Sequence, residues 1–300
     1  MATARRQSQA VKEEPSHDSR DRRGRYVGTA LVDELRADGH EFRAAYHSPD
    51  NAETARADGL DAVSLDLSEP ETLRPALAGV DAVFLLGAGI RGQAEREINV
   101  VNAAKAAGVR RLVKLSVWSA PAEQFGLVKI HRAVEREVEA SGLTGTFLRS
   151  NGFMQNFAQH MAGSIKSQGA IYQPAGDAKI SHIDARDVAR VAARALTTRG
   201  HEAKAYELSG PQALSYDEAA DILSRVLDRR ISYVALSDDA AKAGMLAAGM
   251  PDFYADHMLG LFRAYRTGVA SPVTADVKAV TGREPLAFEQ FARDYADAFR

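Results

Sequence analysis

The chain has 300 residues, no cysteine and one tryptophan. Without thiols there is no disulfide, no thiolate nucleophile and no cysteine-bound metal. The lack is neutral about compartment. Long apolar runs are missing as well: none approaches the ~20 residues that a membrane-spanning helix needs. The first residues have no apolar stretch of the secretory-signal kind. Neither sign of charge dominates, since 38 Lys and Arg face 40 Asp and Glu for a net charge of −2. That balance argues against an extended nucleic-acid surface. These absences make a cytoplasmic protein with no membrane segment the expectation. What is present suffices for a core: 45% of residues are hydrophobic and 26% charged, as in folded domains. The length suits one large domain, or a main domain with a smaller one.

Residues 1–23 stand apart, rich in Arg, Lys, Glu and Asp with almost nothing apolar. Such a stretch buries too little surface to offset its ordering entropy. Beyond it, two periodicities alternate. Helices are predicted over Thr29–Ala37, from Ser68 through Leu77, and over Ala94–Ala107, Gln124–Ala140 and Asp184–Leu196. Strands are predicted over Glu41–Tyr46, Asp61–Leu67, Asp81–Gly87, Arg111–Val117, Thr144–Ser150 and Ala205–Gly210. Ser68 with Glu71, and Ser215 with Glu218, have capping-box spacing, and Asp184 suits an N-cap. The alternation implies βαβ units and a doubly wound parallel α/β sheet. In such a sheet Leu65, Phe84, Leu86, Leu112, Leu115 and Phe147 should be buried, because its strands are covered on both faces. From about Tyr233 the chain reads as mostly helical, a small region over the carboxyl edge of the sheet.

The stretches "INVVNAAKAAGVRRLVKLS", "SGLTGTFLRSNGFMQNF", "ISHIDARDVARVAARAL" and "AYELSGPQALSYDEAA" resemble the NmrA-like group of atypical short-chain dehydrogenases. That group includes quinone reductases, triphenylmethane-dye reductases and redox-sensing regulators. The resemblance runs from about Tyr26 to Arg300. It implies a Rossmann domain with strand order 3-2-1-4-5-6, binding NADP(H), and a small C-terminal substrate domain. The expected division is an aberrant or disordered arm over 1–23, and a Rossmann domain over 24–150 to which 180–210 returns. The substrate domain would take 151–179 and 211–300.

The resemblance also implies a Gly-x-x-Gly-x-x-Gly loop, whose small residues let backbone amides meet a pyrophosphate at the start of the next helix. Gly28 suits its last glycine, but Gly24 lies four residues earlier where three are wanted. No apolar strand precedes the loop; Ala10-Val11 is the best pair. Three accounts stay open: a degraded cofactor site, a poor polar central strand, or a sequence altered upstream of about residue 24, which is favoured because the change is abrupt. On this reading dinucleotide binding is impaired.

Other candidates follow from topology. The predicted second strand ends Tyr46-His47-Ser48 without the acid that holds an NAD ribose, so Arg43 and His47 are candidates for a 2′-phosphate and NADP(H) is expected over NAD(H). Asp66 would sit near adenine; Leu86, Gly87 and Ala88 near the nicotinamide ribose; Asn151, Gly152 and Phe153 beside the nicotinamide. The Tyr-x-x-x-Lys spacing survives as Phe125 and Lys129, and a phenyl ring donates no proton. The resemblance implies a His or Lys at the position of His131 in the quinone-reductase-like members; four residues before Glu135, it is the candidate proton donor, with Lys129 and Ser116 as companions, and an ordinary surface pair is the alternative. The remaining histidines have no metal-ligand spacing, so no metal is expected. The expected activity is NAD(P)H-dependent reduction of a quinone or similar conjugated electrophile. The alternative is a non-catalytic dinucleotide sensor acting on a partner protein. A homodimer or a regulatory partner is left open.

Overall fold

The computed structural model describes the backbone of residues 8–12, and residues 27–87 and 89–300. Seven strands form one parallel sheet: β1 (Ser8–Lys12), β2 (Phe42–Tyr46), β3 (Asp61–Ser64), β4 (Ala82–Leu85), β5 (Arg111–Val117), β6 (Thr144–Ser150) and β8 (Ala205–Leu208), in the order β3-β2-β1-β4-β5-β6-β8. A separate parallel pair joins β7 (Ala170–Gln173) to β9 (Ser232–Ala235). The helices are α1 (Val27–Ala37), α2 (Pro49–Ala57), α3 (Pro70–Ala76), α4 (Gln93–Ala106), α5 (Gly126–Ser141), α6 (Ala162–Gln168), α7 (Ala185–Thr197), α8 (Tyr216–Leu227), α9 (Asp238–Ala247), α10 (Asp252–Arg266), α11 (Asp276–Thr281), α12 (Phe288–Asp294) and α13 (Ala296–Phe299).

This is the expected doubly wound α/β architecture, with one correction at its centre. The chain before residue 24 does supply a strand. Ser8–Lys12 pairs in parallel with β2 on one side and β4 on the other, Ala10 lying opposite Ala44 and Phe84. Backbone pairing explains why so polar a segment is used. Between two strands each carrying a row of N–H and C=O groups, any extended five-residue segment satisfies both rows.

Burial along the other strands follows the pattern that cover on both faces requires. Phe84, Leu112, Leu115 and Phe147 are buried. Leu65 is buried just past β3, whereas Leu86 has left β4 and is only half-buried. Side chains alternate across β5: Val113 and Leu115 pack against α1 and α7, while Leu112 joins α3, α4 and α5. Helix α7 shows how sequence sets this packing. Val188, Val191, Ala192, Ala195 and Leu196 are buried, and Arg186, Arg190 and Arg194 recur at helical spacing. Each buried Val or Leu of this kind contributes about 1.5–3 kcal/mol. Asp184 caps the helix by accepting from the Arg186 N–H at 2.9 Å.

Ser215 and Glu218 form the expected capping box on α8. The box expected at Ser68 and Glu71 is not made. Glu69 takes the N-cap position without a side-chain bond, because the Asp66 carboxylate receives the Ser68 N–H at 2.8 Å and turns the chain first. The C-terminal region is less uniformly helical than expected, since β9 precedes its helices. It packs α6, α8, α10, α12 and α13 around a core of its own, with Phe157, Tyr216, Phe288 and Phe291 at the centre.

Candidate active site

Because the sheet is parallel, the segments after β4, β5 and β6 leave it at one edge, the carboxyl edge where open α/β sheets bind ligands. Helix α1 starts there, with Gly28 buried in its first turn and no acidic residue in that turn. Gly24 and Ala88 lie outside the described residues. Gly87 has no room for a side chain: an added Cβ would stand 2.8 Å from Glu97 Cγ. That close approach presses the exit of β4 onto α4.

Two buried polar networks lie side by side on the α4 and α5 face of β5. Lys114, mid-strand, is fully buried and ion-paired with Glu97 of α4, itself fully buried. The ammonium also donates to the Leu115 carbonyl at 3.1 Å and faces His131 Nδ1 at 3.3 Å. Its three protons are thereby matched to three acceptors. Gln93 donates its amide to the other Glu97 oxygen at 2.7 Å, which turns that nitrogen toward His131 Nε2 at 3.4 Å. Burial and then the Lys114 charge hold the His131 pKa well below the ordinary histidine value. The imidazole is therefore neutral at pH 7.

Two residues along β5, Ser116 is buried and donates to Glu135 at 2.7 Å. Glu135 also accepts from Arg149 of β6 at 2.9 and 3.0 Å and from Arg132 at 3.0 Å. Burial alone would raise this carboxyl. The Arg149 and Ser116 hydrogen bonds outweigh it and hold the pKa below the usual range. The pairing of His131 with Glu135, expected from their spacing, is thus not what the fold uses. Glu135 belongs to the arginines and Ser116, and His131 to Lys114. Lys129, chosen from the Tyr-x-x-x-Lys spacing, is exposed on α5, and its side chain makes no hydrogen bond or ion pair with the described residues. The buried lysine beside His131 is Lys114, which the sequence reading passed over inside an apolar strand. Its signal was there to be read. A lysine in a strand covered on both faces must have a buried carboxylate partner.

The remaining candidates divide. His47, exposed at the end of β2, stands 4.0 Å from Asp66, whose carboxyl is held low chiefly by the Ser68 amide and further by His47 and Arg96. Arg43 lies at the opposite, amino end of β2. Its guanidinium is engaged by Asp61 at 3.1 Å and by the Ala76 carbonyl at 3.0 Å. After β6, Asn151 is buried and donates to Ser181 Oγ and the Ala270 carbonyl, both at 2.8 Å. Its side chain ties the sheet to the C-terminal region instead of facing an open cleft. Gly152 leaves no space for a Cβ, which would lie 2.9 Å from the Tyr265 hydroxyl. Phe153 is half-buried and bridges to Ile183. Trp118, just past β5, donates its indole N–H to the Val269 carbonyl at 2.8 Å, and Arg91 lies over the Phe253 ring of α10 at 4.5 Å. Among the described residues no group of His, Asp or Glu could hold a metal. No described helix is long and apolar enough to cross a membrane.

A family model described as "NmrA-like family" matches residues 24–291. The chain belongs to the NmrA-like family. It is 36% identical to an NAD(P)H azoreductase of Xenophilus azovorans over 91% of this chain and 96% of that one. It is 31% identical to quinone oxidoreductase 2 of Escherichia coli (strain K12), over 78% of this chain and 81% of that one. Among solved structures, the triphenylmethane reductase of Citrobacter sp. complexed with NADP(H) superposes with a TM-score of 0.80 at 25% identity, over 97% of this chain and 99% of that one.

Proposed function

We propose that this NmrA-like protein is an NADPH-dependent reductase of quinones or similarly flat, conjugated acceptors, with His131 as the proton donor. The observation that carries the reading is His131 itself, a neutral imidazole whose Nδ1 faces a buried ammonium at 3.3 Å. The named activities of the relatives support the same reaction class. The described residues at the carboxyl edge suit a dinucleotide. The first turn of α1 is free of carboxylates, so its amides can take a pyrophosphate; in this reading His47 and Asp66 take the ribose phosphate and adenine, and Gly87 and Phe153 the nicotinamide end. When bound, the dihydronicotinamide supplies the hydride. The chain holds the acceptor against it and gives the second proton from His131. The small C-terminal region, joined to the sheet through Asn151 and Trp118, closes over the acceptor and excludes water.

The absence of a carboxylate at the end of β2, with His47 there instead, favours NADPH over NADH. Calorimetric titration with both nucleotides tests this: NADPH should bind more tightly, and His47→Asp should narrow or reverse the preference. Gly24 and Gly28 are one residue further apart than the phosphate loop of the family, so affinity should rise when residues 1–28 are rebuilt with a Gly-x-x-Gly-x-x-Gly loop. Equal affinity would mean that the native segment is a working substitute. Turnover decides the activity. Purified protein should oxidise NADPH only when a benzoquinone is added; binding of NADPH without consumption would identify a sensor instead.

A further inference from the structure

We propose that Lys114, anchored by Glu97, fixes His131 as its Nε2–H tautomer and hands a proton to Nδ1 as His131 gives its own to the reduced acceptor. The inference rests on the reductase reading above and adds residues that the sequence motifs do not mark. Lys114 can only donate, so the ring nitrogen facing it at 3.3 Å is placed to accept. The ring proton then belongs to Nε2. Gln93 is a donor too, with one amide proton on Glu97 at 2.7 Å and the other facing Nε2 at 3.4 Å; the ammonium, charged and nearer, is the stronger of the two donors, so Nδ1 is the nitrogen that accepts. Among the described residues nothing accepts from Nε2, and its proton is left for a ligand.

The charged and titratable groups around the ring come from every element packed on it. Lys114 comes from β5 and Glu97 from α4. Glu135, one turn along α5, is neutralised by Arg149 and Arg132. A lone neutral imidazole is a poor acid, since losing its proton leaves an imidazolate. The arrangement avoids that species. Hydride addition turns a quinone into a hydroquinone monoanion. As the anionic oxygen takes the Nε2 proton, the Lys114 N–H bond breaks and an Nδ1–H bond forms, so the ring stays neutral and Lys114 becomes an amine beside Glu97. After product leaves, water reprotonates Nε2 and Nδ1 returns its proton to Lys114. In sum, acceptor, NADPH and one proton from solvent give hydroquinone and NADP⁺. Lys114 is a positioning and relay residue; His131 alone touches the acceptor.

Two acceptors separate this role from a structural one. A benzoquinone needs a hydride and a proton, whereas a cationic triphenylmethane dye, being a carbocation, needs the hydride alone. Replacing both members of the buried pair, Lys114→Met with Glu97→Gln, leaves no unpaired charge inside. With NADPH present, kcat for the quinone should fall roughly 10²–10⁴-fold, the usual scale of a lost general acid, while dye reduction and NADPH affinity persist. Equal losses on both acceptors, or undiminished quinone reduction, would overturn the relay. Nitrogen NMR of the wild-type chain, with His131 assigned through His131→Gln, needs no variant of the pair to fold. It should show Nε2–H at pH 7, and an Nδ1–H or doubly protonated ring would overturn the assignment. If wild-type protein turns over neither acceptor, the reductase reading fails and the transfer step with it, and the spectrum still decides the tautomer.

Discussion

Removing Lys114 alone should harm the fold far more than removing Lys114 and Glu97 together. Both side chains are 0% exposed and bonded to each other. In Lys114→Met the Glu97 carboxylate keeps only the Gln93 amide, at 2.7 Å, and a buried charge stripped of its partner costs about 3–5 kcal/mol. Glu97→Gln is milder, because a glutamine oxygen can still accept from the ammonium, yet it too leaves a charge uncompensated. In the double variant neither charge remains. Replacing a whole buried pair by groups of similar volume is commonly close to neutral. The double variant should therefore be more stable than Lys114→Met, with a coupling energy of about 2 kcal/mol or more. Urea unfolding of the four proteins, followed by circular dichroism, measures that coupling. Additive losses would mean that water reaches the pair and that it is not the sealed contact described above.

Gly87→Ala should lower stability by about 1–3 kcal/mol, the range of overpacking, because the new methyl meets the locked Glu97 side chain 2.8 Å away; an unchanged melting temperature would show that the exit of β4 can yield. Asn151→Ala removes three hydrogen bonds at 2.8 Å from a buried site and should cost roughly 1–3 kcal/mol through the partners left unsatisfied, read as a lower urea midpoint. Asp187 is buried, and chiefly for that reason its pKa is raised from 3.8 to about 6. Its ionisation therefore opposes folding by up to about 3 kcal/mol, growing as pH rises from roughly 4 to 6. Asp187→Asn removes that term, so its stability relative to wild type should improve between pH 4 and pH 7; a constant difference across that range would refute the assignment.

The strands with apolar runs were legible in the sequence almost to the residue, because cover on both faces leaves no polar choice. Arg111–Val117 and Thr144–Ser150 are the clearest cases. The central strand was legible only as one of three accounts, through the Ala10-Val11 pair, and not as the favoured one. Ser-Gln-Ala-Val-Lys has no pattern of its own, and its place is set by the unpaired backbone edges of β2 and β4. The β7 and β9 pair escaped for a like reason, since β9 is half-buried or exposed along its length and lacks the apolar signal of a covered strand. At the candidate site, local spacing paired His131 with Glu135, whereas the fold sets it beside Lys114. Helical proximity to Glu135 is visible in sequence, whereas competition from Arg149 and Ser116 on two strands is a property of the assembled sheet. Lys114 was hidden by the same rule that found its strand, which counts one charged residue in an apolar run as noise.

The single tryptophan gives the molecule a built-in optical reporter. Trp118 sits where the sheet meets the C-terminal region, its indole bonded to the Val269 carbonyl. Every photon of indole emission comes from that seam. Motion that parts the two regions breaks the bond and wets the ring, shifting emission to longer wavelength. A reduced nicotinamide seated at the carboxyl edge would lie close enough to quench it by energy transfer. Stopped flow on unlabelled protein can therefore show whether the two regions part and when a reduced nicotinamide arrives.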